Sequence, residues 1–448
     1  MKRQGLGLSQ GGLRRRLKKH ISKNKLYALL SKLTPTVNGL ITVLVIIRTI
    51  PRYEFGLLTL FNTFDLVIFA LSGGLVFQAL QKYGAELKGI ELETMVSNSA
   101  FLYGLLSLGP ALLIAAVGTF LAETLNADGL ANLLGLLPVV VVSQWGRKFA
   151  YHLLLAKEQV FQVFVVDLVA LIVTAALVFG LYFTGQLDSA RVVLFVRILA
   201  NAVAAIVSVV LIKNIVKLSW RPDRVWRKKL LNFGKYTFGT TVGNIIYTRI
   251  DTVMLTYFFN PVALALFHSA RGIAEFAKNV VQAANMIVLP RASTMSSQKD
   301  KRGVKDIYFK GLFYSVALAL PISLALLILP ELILKLAYNG KYKDGVNILR
   351  IFALVALVGP LGTIGSSIAS GVGKPRLTFI TMSLGVVINI VLNLLLIPTH
   401  GAMGAAVATL ITVAFGGVLI TILLKRRLGL APIPARKSHT WLARNLTK

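Results

Sequence analysis

One stretch of this chain sets five polar side chains on a single helical face inside an otherwise apolar run. His268, Arg271, Glu275, Lys278 and Gln282 follow one another at intervals of 3, 4, 3 and 4 residues between Pro261 and Pro290, the spacing that stacks side chains on one side of a helix. The other faces carry Ala, Val, Ile and Phe. Arg271 and Lys278 could donate charge-assisted hydrogen bonds to phosphate or carboxylate oxygens, and Glu275 could neutralise a cation or take up a proton. Two readings are open. The stripe lines a wet cavity that receives an anion, or Arg271 and Glu275, at i and i+4, neutralise each other as a structural pair. Arg271 lies ten residues into the run, about 15 Å along a helix, which is too deep for its charge to snorkel out.

Smaller constellations accompany the stripe. Asn62 and Asp65 share a helical face at i and i+3, whereas Arg249 and Asp251 stand about 200° apart and cannot point the same way. We take Arg249 as ligand-facing, with a structural contact to a carboxylate as its alternative. Lys32, Arg48, Asp167, Arg197 and Arg350 lie near the ends of apolar runs or on apolar faces, where a structural role is favoured. Catalytic patterns are missing. Gly371-Val372-Gly373-Lys374 is followed by proline and lacks the upstream glycine of a phosphate-binding loop, the five histidines show no metal spacing, and cysteine is absent. The sequence therefore predicts no catalytic residue, no metal and no cofactor.

Positioning such charges requires helices in a membrane. Of 448 residues, 56% are hydrophobic and the mean hydropathy is +0.73, beyond soluble globular usage. The apolar residues fall in blocks of about 20 or more, enough to cross roughly 30 Å of hydrocarbon. Twelve spans are expected. The first six are Leu26 to Ile47, Phe55 to Leu80, Met95 to Leu121, Gly129 to Leu155, Val160 to Phe183 and Val192 to Ile212. The rest are Tyr236 to Phe259, Pro261 to Pro290, Tyr308 to Leu329, Val346 to Ala369, Leu377 to Ile397 and Ala402 to Leu424.

The net charge of +32, from 49 Lys and Arg against 17 Asp and Glu, would suggest nucleic acid in a soluble protein. Here the basic residues lie between apolar blocks, no nucleic-acid module separates them, and one set of alternate loops holds most of them. The positive-inside rule and attraction to anionic membrane lipids explain that split. Both termini are then cytoplasmic, in a basic tail at 1–25 and another at 425–448, with a basic linker at 213–235. The segment from Glu331 to Asp344, with Lys335, Lys341 and Lys343, fits the outer side poorly and suggests a re-entrant or shifted boundary.

The halves also resemble each other. Asp65 and Glu275 lie 210 residues apart in comparable spans that open after Pro51 and Pro261, and Lys157 parallels Lys374 at an offset of 217. Six spans per half gives both halves the same orientation. We therefore expect an all-α integral membrane protein with two pseudo-symmetric six-helix lobes, 26–212 and 236–424, around a central cavity.

These residues resemble a family. Pro51-x-x-Glu54-Phe55-Gly56, Arg249-x-Asp251-Thr252, Gly371-x-Gly373-Lys374-Pro375, then Asn389 and Asn393, then Pro398-x-x-Gly401 and Gly404 to Thr409 are similar in order and spacing to the polysaccharide and O-antigen flippases. That family belongs to the multidrug/oligosaccharidyl-lipid/polysaccharide exporter superfamily. The resemblance spans residues 26 to 424 and implies two lobes around a cationic cavity that opens to one side at a time. The chain departs from the family at Ala265-Leu266-Phe267-His268-Ser269-Ala270, where relatives often carry Gly-x-Tyr-x-x-Ala.

On this basis the expected cargo is a lipid-linked anionic glycan moved across a bacterial plasma membrane, with membrane lipids as partners and a glycan polymerase and glycosyltransferases as candidate partners. Arg271, Lys278 and Arg249 would hold its pyrophosphate. Asp65 and Glu275 would pair with those cations when the site is empty, and His268, Gln282 and Asn62 would complete the lining. Three alternatives remain at this stage: a multidrug or cation exporter of the same superfamily, which needs a net acidic cavity; a membrane glycosyltransferase or polymerase, which needs outer loops or interfacial carboxylates; and an assembly scaffold.

Overall fold

The computed structural model describes residues 36–213 and 222–428, with isolated positions at 27, 30, 31, 34, 215 and 216. The expected basic tail at 1–25, all but the first four residues of the one at 425–448, and Lys32 lie outside the described residues. Among those described, the chain is built of helices with no strand. Helix α1 runs Thr36–Thr49 and contains a π-helical turn at Thr42–Ile46. The first half continues with α2 Arg52–Glu86, α3 Gly89–Ala116, α4 Leu137–Ala156, α5 Val160–Phe183 and α6 Ala190–Lys213. The second comprises α7 Arg224–Phe258, α8 Pro261–Ser297, α9 Lys301–Ile328, the short α10 Pro330–Tyr338, α11 Val346–Gly371 and α12 Pro375–Leu428.

Local chemistry explains most boundaries. Proline opens α8, α10 and α12, where its missing N–H costs nothing. Helix α7 begins well before the expected Tyr236 because the Asp223 carboxylate caps it, accepting from Val225 N and Trp226 N at 2.7 and 3.2 Å. Gly401, at φ 54° and ψ −132°, interrupts α12, so its two arms correspond to the two spans expected there; the positive φ favours glycine. Eight of the described helices are long and apolar enough to cross a membrane. Helices α7 and α8 reach 35 and 37 residues but carry the charges singled out above.

Large apolar side chains are exposed along these helices. Leu105, Leu113, Phe120, Phe183, Ile206, Phe313 and Leu395 are exposed, as expected where hydrocarbon replaces water. The chain is a multi-pass membrane protein.

Two compact units can be described separately. One comprises residues 1–273, 329–350 and 389–408, the other 274–328, 351–388 and 409–448. In the first, Val76, Leu80, Met95, Val96, Tyr103, Leu153 and Trp226 pack α2, α3, α4 and the start of α7 around one apolar core. In the second, Val288, Ile307, Tyr308, Ile364, Ile368, Ile420 and Leu424 do the same for the end of α8 with α9, α11 and the second arm of α12.

Helices α2 and α7 run antiparallel at very short range. A Cβ on Gly234 would stand 1.9 Å from the Leu75 carbonyl oxygen, so no larger residue fits. At Gly239, by contrast, nothing lies within 4 Å of where a Cβ would be, so the close approach is at Gly234.

Connections sort into two groups, each on one face. On one face, Tyr53 Oη donates to Asp128 O at 2.9 Å, Asn126 Nδ2 donates to Tyr257 O at 3.0 Å and Ala190 N donates to Glu54 Oε2 at 2.8 Å. On the other, Lys157 Nζ donates to Leu87 O and Asp223 N to Asn98 Oδ1, both at 2.9 Å. The segment 331–344 belongs with the first group, because Arg52 Nη1 meets Asp344 Oδ2 at 2.9 Å. Its lysines, which made it look misplaced, are accounted for in part by helix ends, as described below.

Candidate anion site at membrane depth

An ionised side chain at the depth of hydrocarbon costs several kcal/mol unless it is paired or wet. The first unit meets that condition with two arginine–aspartate pairs. Asp65, on α2, is buried. It accepts from Gln144 Nε2 of α4 and pairs with Arg197 of α6. The Arg197 guanidinium also donates from Nη1 to Asn62 Oδ1 at 2.7 Å and from Nη2 to Gln144 Oε1 at 3.3 Å. On α4, Lys148 lies 3.8 Å over the Phe69 ring, a cation–π contact strengthened by exclusion of water.

The second pair joins α7 to α8. Arg271 Nη1 donates to Asp251 Oδ2 at 2.7 Å, and Nη2 donates to Thr248 O at 3.3 Å. The other Asp251 oxygen accepts from Thr252 N at 2.7 Å. Thr252 Oγ1 in turn shares a 3.0 Å hydrogen bond with His268 Nε2. The two pairs lie at one level. Gly74 of α2 sits 3.1 Å, measured from a Cβ, from Thr241 Oγ1 of α7; nine residues back from Gly74 is Asp65, and nine on from Thr241 is Ile250, beside Asp251.

Both pairs share an asymmetry. The carboxylates retain only 6% and 5% of their side-chain exposure, whereas Arg197 and Arg271 retain 29% and 17%. Each aspartate is thus the more deeply buried partner and each arginine side chain the more accessible one, and a charge at this depth is not left to hydrocarbon. A third pair, Arg147–Asp167 at 2.9 Å, is tied to Asn201 and to Ser31 by 3.0 and 2.9 Å hydrogen bonds. It staples α4, α5, α6 and the first span together.

Of the residues expected to form the site, the structure brings His268 and Arg271 together with Asp251 and Thr252, and it joins Asn62 to Asp65 through Arg197. Arg249 is half-buried, two residues before Asp251. Glu275 and Lys278 are exposed farther along α8, in the second unit; the side chain of Gln282 lies outside the described residues. Sequence spacing named only Glu275 as a possible partner for Arg271; the structure adds Asp251 from the neighbouring helix. Asp65 belongs to its own cluster with Arg197 and Gln144. Gln144, Arg147 and Lys148 were not singled out at all. The signal was present, since they follow at i, i+3 and i+4 inside an apolar run.

Comparison with known proteins agrees with this architecture. The family model described as polysaccharide biosynthesis protein matches residues 45–347, more than half of the chain. Two proteins of Haloferax volcanii are similar: the probable low-salt glycan biosynthesis flippase Agl15, 22% identical over 43% of this chain and 41% of that protein, and the probable flippase AglR, 25% identical over 44% and 42%. An uncharacterized membrane protein of Methanocaldococcus jannaschii, MJ1068, is 25% identical over 41% of this chain and 36% of its own length. The aligned segments thus span only about two-fifths of these relatives.

Among solved structures, the lipid II flippase MurJ in an inward closed conformation superposes with a TM-score of 0.73 at 16% identity, covering 89% of this chain and 87% of that one. An inward-facing multidrug resistance MATE family transporter gives 0.70 at 14% identity, covering 90% and 94%. At such identities these likenesses concern the fold. The chain belongs to the polysaccharide biosynthesis protein family and has the fold of the multidrug/oligosaccharidyl-lipid/polysaccharide exporter superfamily.

Proposed function

We propose that the protein is a flippase that carries a lipid-linked oligosaccharide, a glycan on polyprenyl pyrophosphate, across the plasma membrane by alternating access. The observation that carries this reading is the pair of partly exposed arginine side chains, Arg197 and Arg271, each held by a buried aspartate at one level of the membrane. A planar guanidinium fork matches the oxygens of a pyrophosphate. The polar headgroup is what hydrocarbon excludes, while the polyprenyl tail can remain in lipid. In this reading Arg249 and Lys278 add positive charge along the headgroup's route, and Glu275, His268, Gln282 and Asn62 complete the lining.

The cargo's sign follows from the local balance. Arg147, Lys148, Arg197, Arg249 and Arg271 outnumber Asp65, Asp167 and Asp251 in the spans of the first unit. A cation exporter would need the opposite excess. The relatives are named as flippases and transporters, which favours movement of the glycan over its synthesis, with a polymerase and glycosyltransferases as partners that supply and consume it. Twelve spans in two six-helix lobes, cytoplasmic termini and a bacterial host complete the proposal. The segregation of basic loops to one face supports the orientation.

The test uses purified protein in vesicles with a fluorescent polyprenyl-pyrophosphate disaccharide in both leaflets. A membrane-impermeant quencher should reach about half of the probe in empty vesicles and nearly all of it when the flippase is present. Equal quenching in both, alongside protein-dependent uptake of a lipophilic cation, would overturn the reading.

A further inference from the structure

Two helices end against each other on the face that the charge distribution assigns to the outside. Helix α1 ends at Thr49 and α10 at Tyr338, and both belong to the first compact unit. A helix C-terminus leaves its last carbonyls without partners and carries the negative end of the helix dipole. Two such ends brought together repel unless cations intervene.

Here each helix is capped by the other's cation. Lys341, three residues beyond α10, places its ammonium on the carbonyls of α1's last turn: Ile47 O at 3.5 Å, Arg48 O at 3.3 Å and Ile50 O closer still. Arg48, from α1, returns the contact to the last turn of α10, donating from Nε to Ala337 O at 2.6 Å and from Nη2 to Leu336 O. Arg52 closes the assembly, donating to Lys341 O at 2.6 Å and to Asp344 Oδ2 at 2.9 Å, with its guanidinium 5.5 Å from the Tyr342 ring centre.

We propose that this reciprocal capping of α1 by Lys341 and of α10 by Arg48 is an outer gate, holding the outer mouth of the transport route shut and releasing it when the two helix ends part. The inference rests on the alternating-access reading above. Three features distinguish a latch from a fixed joint. First, it ties segments about 290 residues apart in sequence, so side-chain contacts, and no short chain connection, hold the two helix ends together.

Second, its polar contacts are ones that water can replace. On parting, the carbonyls of Ile47 to Ile50 and of Leu336 and Ala337 face the aqueous side, where solvent satisfies them. Third, the closed form carries its own opposition. Asn339 and Gly340 are both left-handed, at φ 52° and 77°, to turn the chain sharply and deliver Lys341. The Tyr342 hydroxyl is buried with no hydrogen-bond partner. Burial, and then the neighbouring Arg52, push the Lys341 ammonium's pKa below its usual value. These terms oppose the capping bonds and keep closure reversible.

The absence of native cysteine makes the test clean. Asn62→Cys places a reporter beside Arg197 in the full-length protein, reconstituted in one orientation and labelled from outside with an impermeant maleimide. Lys341→Glu, which sets a carboxylate against the α1 carbonyls, should raise the labelling rate by at least about fivefold, a shift in open population that corresponds to a modest free-energy change. Lys341→Arg should leave the rate near its starting value.

Tethering Arg48→Cys to Ala337→Cys with a bis-methanethiosulfonate crosslinker, applied before the maleimide, should suppress labelling of the reporter, and a reductant should restore it. The same treatment of Asn62→Cys without the cysteine pair measures how much the reagent alone caps the reporter, and the effect of the tether is read relative to that control. If Lys341→Glu accumulates normally and labels at the starting rate, the gate is refuted. Should that variant fail to accumulate, the tether decides, and labelling that is the same with and without it refutes the gate equally. Because the readout is a thiol, it separates the two proposals: label responding to the latch while the polyprenyl-pyrophosphate probe stays unmoved overturns the cargo and leaves the gate.

Discussion

The midplane pairs and the outer latch use the same chemistry in different solvents. Arg197–Asp65 and Arg271–Asp251 hide their carboxylates almost completely, whereas Arg52 and Asp344 keep 31% and 53% of their side-chain exposure. Where water is excluded, an ion pair is strongly coupled to the integrity of the protein, because losing one partner strands the other. Where water is present the same pair contributes little and can be remade. One region is therefore suited to holding a charged site through a transport cycle, the other to opening and closing during it.

Breaking the Arg197–Asp65 pair tests that contrast with the largest effect. Arg197→Ala removes the Asp65 carboxylate's ion-pair partner, and the protein should lose about 3–5 kcal/mol, seen as a lower melting temperature in detergent and lower abundance in the membrane. Asp65→Asn should be milder, about 1–2 kcal/mol, because the amide still pairs with its neighbours and the arginine is partly wet. Equal losses from both substitutions would remove the asymmetry on which the site is built.

Arg271 sharpens the comparison by separating stability from binding. Arg271→Ala should lower abundance, and adding Asp251→Asn should restore most of it by removing the stranded charge. Transport of the polyprenyl-pyrophosphate probe per inserted molecule should stay below about a tenth of the starting rate in the double variant, and Arg271→Lys should recover only part of it, since a bidentate fork becomes a point charge. Full transport per molecule in the double variant would make Arg271 structural.

The smallest effect belongs to the latch. Asp344→Ala should change stability by no more than about 1 kcal/mol, and raising salt should shrink even that. A melting shift as large as that of Arg197→Ala would show the outer contact to be a permanent joint.

The long apolar helices were legible because crossing hydrocarbon imposes a length and a composition that no other constraint relaxes. Val160–Phe183 was read to the residue, and the break at Gly401 fell between the two spans expected there. The start of α7 was not, because apolar content marks where lipid begins and says nothing of how far a capped helix continues into water; Asp223 decided it. The midplane cluster was half legible. Asn62, Asp65, Arg249, His268 and Arg271 stood out as charges or polar groups at depth, while Gln144 and Lys148 went unnoticed inside their apolar run.

Sequence by itself determined that charge sits inside the membrane here, and of which sign, because the penalty for placing it there depends on residue type and depth alone. It also determined which loops share a face, since spans alternate. Only the tertiary structure decided who pairs with whom. The i and i+4 rule describes neighbours on one helix and offered Glu275 to Arg271; Asp251, reaching across from α7, could be found only once two helices were packed. The capping of α1 by Lys341 and of α10 by Arg48 is the same case in stronger form. Those residues lie some 290 positions apart, and the carbonyls that hold them belong to the backbone, which every sequence supplies and no sequence marks.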